Sequence, residues 1–396
     1  MNILFLNHNV ENYGTYFRCL HLARGLTRRG HRVTLLCANR EDTLATTRRV
    51  EDGLTTILLP KYRLRGFHTL HTLRMAYNTA YVLGLDYHVL HSFAFPLHPI
   101  AVPTLAGHYL RPGKALVLDH DDLWKGGFAN QHPGPYQRLV GWFNDTLPAM
   151  ARQCTAASAM LMDSFRAAGV PEERIHSVPN CPTMARSPLT KDQARAHTGL
   201  LAGSPDLPPD APVVLSMGHT YTESLFLLLD AFERAQARVP NLTLSFLGKM
   251  HIPAEFERRL QPYLERAGSH IIRLGEKPPA DVPAYLAAAD ALLLPMDDDP
   301  IEKARFPIRF GDYLASGVPI VSNAVGEIAR YLTEYDCGYT SAVTDAADFG
   351  DKIVQALTDR DRREHVRANA QRLVETTLNW DAVAKKLEGI YEKARQ

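Results

Sequence analysis

The stretch Arg305-Phe306-Pro307-Ile308-Arg309-Phe310-Gly311-Asp312-Tyr313-Leu314-Ala315-Ser316-Gly317-Val318-Pro319-Ile320-Val321 passes from helix to buried strand across one tight turn. Pro307 suits the start of the helix and Gly317 its left-handed end. Arg309 and Asp312 lie three residues apart and so share a face. A helix feeding an apolar strand through a glycine turn is the repeating unit of a helix-covered parallel sheet. The guanidinium suits a diphosphate and the carboxylate suits a sugar diol such as a ribose. The stretch is therefore expected to form a nucleotide-sugar pocket.

The same alternation extends outward in both directions. Brief apolar runs at 2–7, 33–37, 55–59, 87–92, 115–119 and 154–158 predict strands in the first half. Runs at 213–218, 242–248, 271–274, 291–294 and 319–322 predict them in the second. A helix over 15–29 is expected to bury Phe17, Leu20, Ala23 and Leu26 and to stop at Gly30. Residues 187–211 contain Pro188, Gly203, Ser204, Pro205, Pro208 and Pro209 and read as an exposed linker. The fold class is thus α/β, with two tandem Rossmann-like doubly wound domains facing a cleft. The expected boundaries are 1–187, a linker at 188–211, 212–379 and a terminal helix at 380–396. That helix carries Trp380, Val383, Ala384, Leu387, Ile390 and Tyr391 as one apolar stripe.

Size and composition agree with two soluble domains. The chain has 396 residues, 45% apolar and 22% charged. It contains no run of about 18 apolar residues. Residues 1–7 lack the basic start and cleavage site of a signal peptide and read as a first strand. The five cysteines are scattered without a CxxC pair, as expected of reduced thiols in the cytoplasm. Charge is uneven: residues 1–190 hold 20 Lys+Arg against 13 Asp+Glu, and residues 191–396 hold 24 against 30. A basic front half suits an anionic acceptor or peripheral contact with the inner face of a membrane. Lys61, Arg63 and Arg65, interleaved with Tyr62, Leu64 and Phe67, are the ledge that would make such contact; a solvated loop beside a core-facing helix is the alternative. Nothing points to nucleic acid.

Several constellations could carry chemistry. Gly14, at the first strand-to-helix turn, would let backbone N–H groups and the positive helix end approach a phosphate, with Thr15 opening the helix. Asp119-His120-Asp121-Asp122 ends a buried strand, which puts His120 among carboxylates. His91 ends another strand, where it and Asp121 would line an acceptor side. Gly218 and His219 open the second half in the same strand-to-turn context. The acidic run Asp297-Asp298-Asp299 reads as a solvated turn rather than a metal site. No GxGxxG follows either leading strand, which disfavours a dinucleotide-dependent dehydrogenase.

Taken together, these residues resemble a family 4-type GT-B glycosyltransferase over nearly the whole chain. The resemblance rests on Gly14 through Gly30-His31-Arg32-Val33, on 213–218 with Leu228-Asp230-Ala231, and on Leu274-Gly275-Glu276. It rests also on Tyr285 to Asp290, on Arg305 to Val321, and on a terminal helix that in this fold crosses back to the first domain. It implies transfer of a sugar from a UDP- or GDP-type donor to a hydroxyl acceptor, lipid-linked or glycan, with retention of configuration, as in a retaining hexosyltransferase. It implies no cofactor and no metal. Asp312 would hold the donor ribose, Arg309 with Arg305 would neutralise the diphosphate, and Gly14 and Gly218 would offer backbone donors. His120 would lie beside the transferred sugar, and Glu276 and Lys277 would flank the base. Two departures stand out. Ala304 occupies the position of the family's first glutamate, and no basic pair follows Gly218. An epimerase or hydrolase acting on the same donors, and a non-catalytic partner subunit, are the alternatives.

Overall fold

The computed structural model describes residues 1–61, 70–202, 204, 206–218, 223–250 and 252–396. The aromatic and basic ledge at 62–67 and His219 lie outside them. The strands are β1 (Asn2–Val10), β2 (Arg32–Ala38), β3 (Thr47–Glu51), β4 (Leu54–Leu59), β5 (Val89–Phe93), β6 (Ala115–His120), β7 (Gln153–Ala156), β8 (Ile175–Ser177), β9 (Val213–Met217), β10 (Thr243–Leu247), β11 (Ile271–Gly275), β12 (Ala291–Leu294), β13 (Ile320–Asn323) and β14 (Tyr339–Ser341). The helices are α1 (Thr15–Arg28), α2 (Leu70–Gly84), α3 (His98–Leu110), α4 (Pro135–Thr146), α5 (Ala159–Ala167), α6 (Lys191–Thr198), α7 (Glu223–Gln236), α8 (Ala254–Ala267), α9 (Val282–Ala288), α10 (Pro300–Ala304), α11 (Ile308–Ser316), α12 (Gly326–Glu334), α13 (Ala346–Thr358), α14 (Arg360–Thr376) and α15 (Trp380–Arg395). The chain divides into two compact units. Unit 1 is Met1–Asn180, Ala304–Phe306 and Asn379–Gln396; unit 2 is Cys181–Lys303 and Pro307–Leu378.

Unit 1 is built on a sheet of order β3-β4-β2-β1-β5-β6-β7-β8. Its pairs are parallel except β3 with β4, a hairpin closed by Asp52 and Gly53, both at positive φ. That Asp-Gly turn is a strong hairpin signal. The chain steps from β1 to β2 on one side and later to β5 on the other, so the order reverses at β1. In doubly wound sheets ligands bind outside the carboxyl ends of the strands at such a point.

Two packing faces differ from expectation. Helix α1 buries Thr15, Arg18, Cys19, Leu22, Ala23 and Leu26, while Phe17 and Leu20 are only half-buried. The buried face is rotated toward a charged residue, Arg18, because Asp119 waits for it in the sheet. Helix α2 falls where apolar spacing predicts a helix over 67–81 that buries Phe67, Leu70, Leu73, Tyr77 and Tyr81, yet Leu73, Tyr77 and Tyr81 are half-buried and Arg74, Asn78 and Val82 are buried at four-residue spacing. Arg74 donates to the carbonyls of Asn7, His8 and Asn9, where β1 loses its register with β2. Helix α15 buries Trp380, Val383, Ala384, Leu387, Ile390 and Tyr391 within unit 1. Its Ala384 Cβ sits 2.6 Å from where a Cβ on Gly25 would lie, so glycine sets how closely α1 and α15 approach.

Unit 2 carries a parallel sheet of order β11-β10-β9-β12-β13-β14, with its switch between β9 and β12. The expected linker at 188–211 is not a plain linker. It holds α6, whose Thr190 and Gln193 form a reciprocal capping box and whose end is a left-handed Gly199. Lys191 and Arg195 pair with Asp290 at 2.8 and 2.7 Å, which fixes α6 to unit 2. The prolines flank this helix rather than exclude it. No helix among the described residues is long and apolar enough to cross a membrane. All five cysteines are buried and none is in a disulfide.

Candidate active site

In unit 2, three neighbouring strands end in glycines with positive φ. Gly218 follows β9, Gly248 follows β10 and Gly275 ends β11, at φ 93°, 121° and 68°. Gly218 N–H donates to Leu247 O at 2.8 Å and Gly248 N–H to Gly275 O at 3.0 Å. A Cβ on Gly248 would lie 3.4 Å from Gly218 Cα, so the turns stack closely. Such a row presents backbone without side chains, which suits close approach of a ligand.

Helix α11 clamps this edge. It runs from Pro307 as N-cap, with no capping side chain, to Gly317 at φ 71°, so its ends are those expected from sequence. Arg309 Nη1 donates to Met217 O at 3.1 Å, and Tyr313 Oη accepts from Met217 N–H at 2.6 Å. Two residues one turn apart thus grip both peptide groups of Met217. The Arg309 guanidinium lies 3.1 Å from where a Gly218 Cβ would be. A larger residue at 218 would push it away.

Asp312 behaves differently from expectation. It is 3% exposed, and its Oδ1 accepts from Thr183 N–H at 2.7 Å, Met184 N–H at 3.1 Å and Thr183 Oγ1 at 3.1 Å. Burial pushes its carboxyl up to about 6, against those hydrogen bonds. Asp312, expected to hold the donor ribose, here ties α11 to the 183–184 loop. Glu276 is exposed, and Lys277 is half-buried with Nζ 5.4 Å from the Tyr285 ring centroid. Arg305 precedes α11 and belongs to unit 1, whereas Arg309 belongs to unit 2. The acidic run is used piecemeal. Asp297 accepts from Ser224 N–H, Asp298 pairs with Lys303 and Asp299 caps α10.

In unit 1, a buried polar cluster fills the carboxyl ends of β1, β5 and β6. Arg18 and Asp119, both fully buried, form a bidentate pair at 2.9 and 2.8 Å. Arg18 also donates to Asn180 Oδ1 at 3.1 Å, and Asn180 donates to Phe306 O at 2.7 Å. Burial would raise the Asp119 carboxyl, but Arg18 overturns this and holds it below its ordinary value. Sequence reading missed Arg18 and Asn180. The available signal was a charge inside the buried stripe of α1, which must find a partner.

His91 does not line an acceptor surface. It is fully buried, with Nδ1 2.6 Å from Tyr391 Oη and its ring edge-on to Phe5. Burial lowers it to about 3, so it is a neutral core histidine. Gly14, at φ 54° and ψ −130°, has a backbone that strains any side chain, and a Cβ there would displace Asn9 Nδ2, 2.3 Å away. Thr15 Oγ1 donates to Asp121 Oδ2 at 2.5 Å. His120 is 1% exposed, packed against Phe95 and Phe165, and neutral because burial pushes it down to about 4. Asn144 and the Asp122 backbone face the ring, but among the described residues no group meets either ring nitrogen at good hydrogen-bond geometry, and the same holds for Asp121 Oδ1, Trp124 Nε1 and Asn144 Oδ1. These five polar atoms on residues 120–144 are ones that native proteins pair with water or with a bound group.

Family models match both parts of the chain. "Glycosyl transferase 4-like domain" covers residues 14–181 and "Glycosyl transferases group 1" covers 202–392. The chain belongs to the family 4-like GT-B glycosyltransferases. It is 30% identical over 125 residues to the D-inositol 3-phosphate glycosyltransferase of Corynebacterium aurimucosum. That match covers 31% of this chain and spans only about a quarter, 27%, of the relative's length. Sucrose-phosphate synthase from Thermosynechococcus elongatus shares the fold with a TM-score of 0.72 at 16% identity, over 99% of this chain and 98% of that one. Anabaena HepE in complex with UDP-glucose does so with a TM-score of 0.70 at 16% identity, over 99% of each.

The chain carries a pH signature. Burial first, then Asp122 and Asp119, push the Asp121 carboxyl up to about 8. The unfolded chain releases that proton near about 3.9. Between those values the folded state holds the extra proton, so stability falls as pH rises. His91 and His120 act oppositely, but only up to their unfolded value of about 6.5. The window from about pH 6.5 to 8 therefore isolates Asp121. Asp121→Asn should flatten the fall in melting temperature there; a slope equal to wild type would refute a buried protonated Asp121.

Proposed function

We propose that the protein transfers a sugar from a nucleoside diphosphate sugar to a hydroxyl acceptor, with retention at the anomeric carbon. The observation that carries this is the Arg309 guanidinium lying over Gly218 at the switch point of unit 2, beside two further glycine turns. The bond from the anomeric carbon to the diphosphate breaks, and the departing oxygens gain negative charge. Arg309 and the N-terminus of α11, whose N-cap Pro307 offers no capping side chain, supply preorganised positive charge at that edge. The acceptor oxygen then bonds to the anomeric carbon, and its proton leaves with the diphosphate. The absence of a basic pair after Gly218 makes Arg309 the main cation of this scheme. Anabaena HepE, similar in fold, was solved with UDP and with UDP-glucose, which supports a donor of this class.

In unit 1, the orphaned atoms of His120, Asp121, Trp124 and Asn144 offer both donors and acceptors beside aromatic rings, as a polyhydroxyl ligand requires. His120, neutral at physiological pH, can accept from or donate to a sugar hydroxyl without a change of charge.

A thermal-shift panel of nucleoside diphosphates and their sugars tests this. One base should raise the melting temperature. A ligand at 100 times its Kd contributes about 2.7 kcal/mol. No shift from any diphosphate would sink the donor assignment. Donor consumption that is as fast without acceptor as with it would favour a hydrolase or epimerase instead.

A further inference from the structure

Unit 2 has a second charged feature at the opposite edge of its sheet. A cavity of about 670 Å³ is lined by residues that immediately precede β12 and β13, including Asp290 and Pro319. The strands are parallel, so this edge is remote from the one that bears Gly218 and Arg309. Five cations line the cavity: Arg186, Lys191, Arg360, Arg363 and Arg367. Only two carboxylates do, and both are engaged. Asp290 is taken by Lys191, Arg195 and the Val213 N–H, and Glu364 pairs with Arg360 at 3.2 Å. Arg186, Arg363 and Arg367 have no carboxylate partner among the described residues.

The three arginines of α14 recur at i, i+3 and i+7 and so share one face. Arg186 comes from a separate segment. Its Cζ lies 3.4 Å, and Arg367 Nε 3.5 Å, from where a Gly317 Cβ would sit. Two guanidiniums therefore crowd one point without an intervening acid. Like charges are brought together at a cost unless an anion shares them. Leu189, Pro188 and Val318 add an apolar wall, enough for an organic body behind a charged group. Planar guanidiniums match phosphate oxygens in pairs.

We propose that this cavity is a binding site for a phosphate ester, distinct from the donor edge. The ester is carried either by a soluble molecule or by an anionic lipid headgroup. The experiment titrates the full chain at low salt with inorganic triphosphate, and in parallel sediments it with phosphatidylglycerol or phosphatidylcholine vesicles. The expected result is binding to triphosphate, to phosphatidylglycerol, or to both, that weakens roughly tenfold or more in Arg363→Gln/Arg367→Gln, the loss expected of charge-assisted hydrogen bonds. Arg186→Gln should reproduce the loss from a different segment, so damage to α14 alone cannot mimic it. Arg309→Ala should leave this binding in place. Dependence in only one arm identifies the carrier as soluble or lipid. The proposal is overturned by binding that survives both arginine replacements, by binding that vanishes only in Arg309→Ala, or by no binding in either arm.

Discussion

Arg309→Ala should lower kcat/KM for sugar transfer by roughly 10²–10³-fold, about 2.7–4 kcal/mol of barrier, the range found when one preorganised oxyanion donor is removed. The loss should fall mainly on kcat, because the leaving diphosphate gains its charge in the transition state. Arg309→Lys should recover only part of the rate, since an ammonium cannot keep the planar contact over Gly218 while donating to Met217 O. Folding should suffer little. The guanidinium is half-buried rather than in the core, and Tyr313 still holds Met217 when the bond to Met217 O is lost. The measurement is initial-rate kinetics beside a thermal melt. Wild-type kcat in the alanine variant would remove Arg309 from the mechanism, while a collapsed melt would recast it as a packing residue.

Asp119→Ala should be the most damaging single change to unit 1. It leaves the fully buried Arg18 guanidinium without its carboxylate, and breaking such a pair costs about 3–5 kcal/mol. Thr155 Oγ1, which donates to Asp119 at 2.5 Å, loses its acceptor as well. The pair itself need not be a net stabiliser, because taking two ions out of water offsets much of their attraction. Arg18→Met combined with Asp119→Leu should therefore recover much of the loss. Denaturant unfolding that follows unit 1 checks this. A double variant as unstable as Asp119→Ala would mean that the network matters beyond its charges.

The strands were legible because a sheet covered on both faces leaves short apolar runs between helices, as at 291–294. Less visible was anything that depends on partners distant in sequence. Asp119 lies 101 positions from Arg18, and Thr183 lies 129 from Asp312. Neither pairing leaves a local trace. Spacing places Asp312 on one face with Arg309, but it does not show that the 183–184 backbone donates to that carboxylate. The hairpin of β3 and β4 had a local signal in Asp52-Gly53, yet Thr47–Glu51 is exposed along most of its length and lacks the apolar pattern that announces a strand. Helix α6 was hidden because flanking prolines outweighed its eight residues in a composition window. The orphaned atoms of residues 120–144 follow from burial, which no sequence window reports.

Helix α15 also bears on how the molecule is made. Tyr391 supplies the hydroxyl for His91, and Ala384 fits against Gly25, so residues 1–180 lack part of their interior until residues 384–391 have been made. Residues 181–378 leave the ribosome before that happens. Residues 1–180 therefore wait, incompletely assembled, while 181–378 are made, and damage to 384–391 would fall on this unit rather than on the segment made just before it.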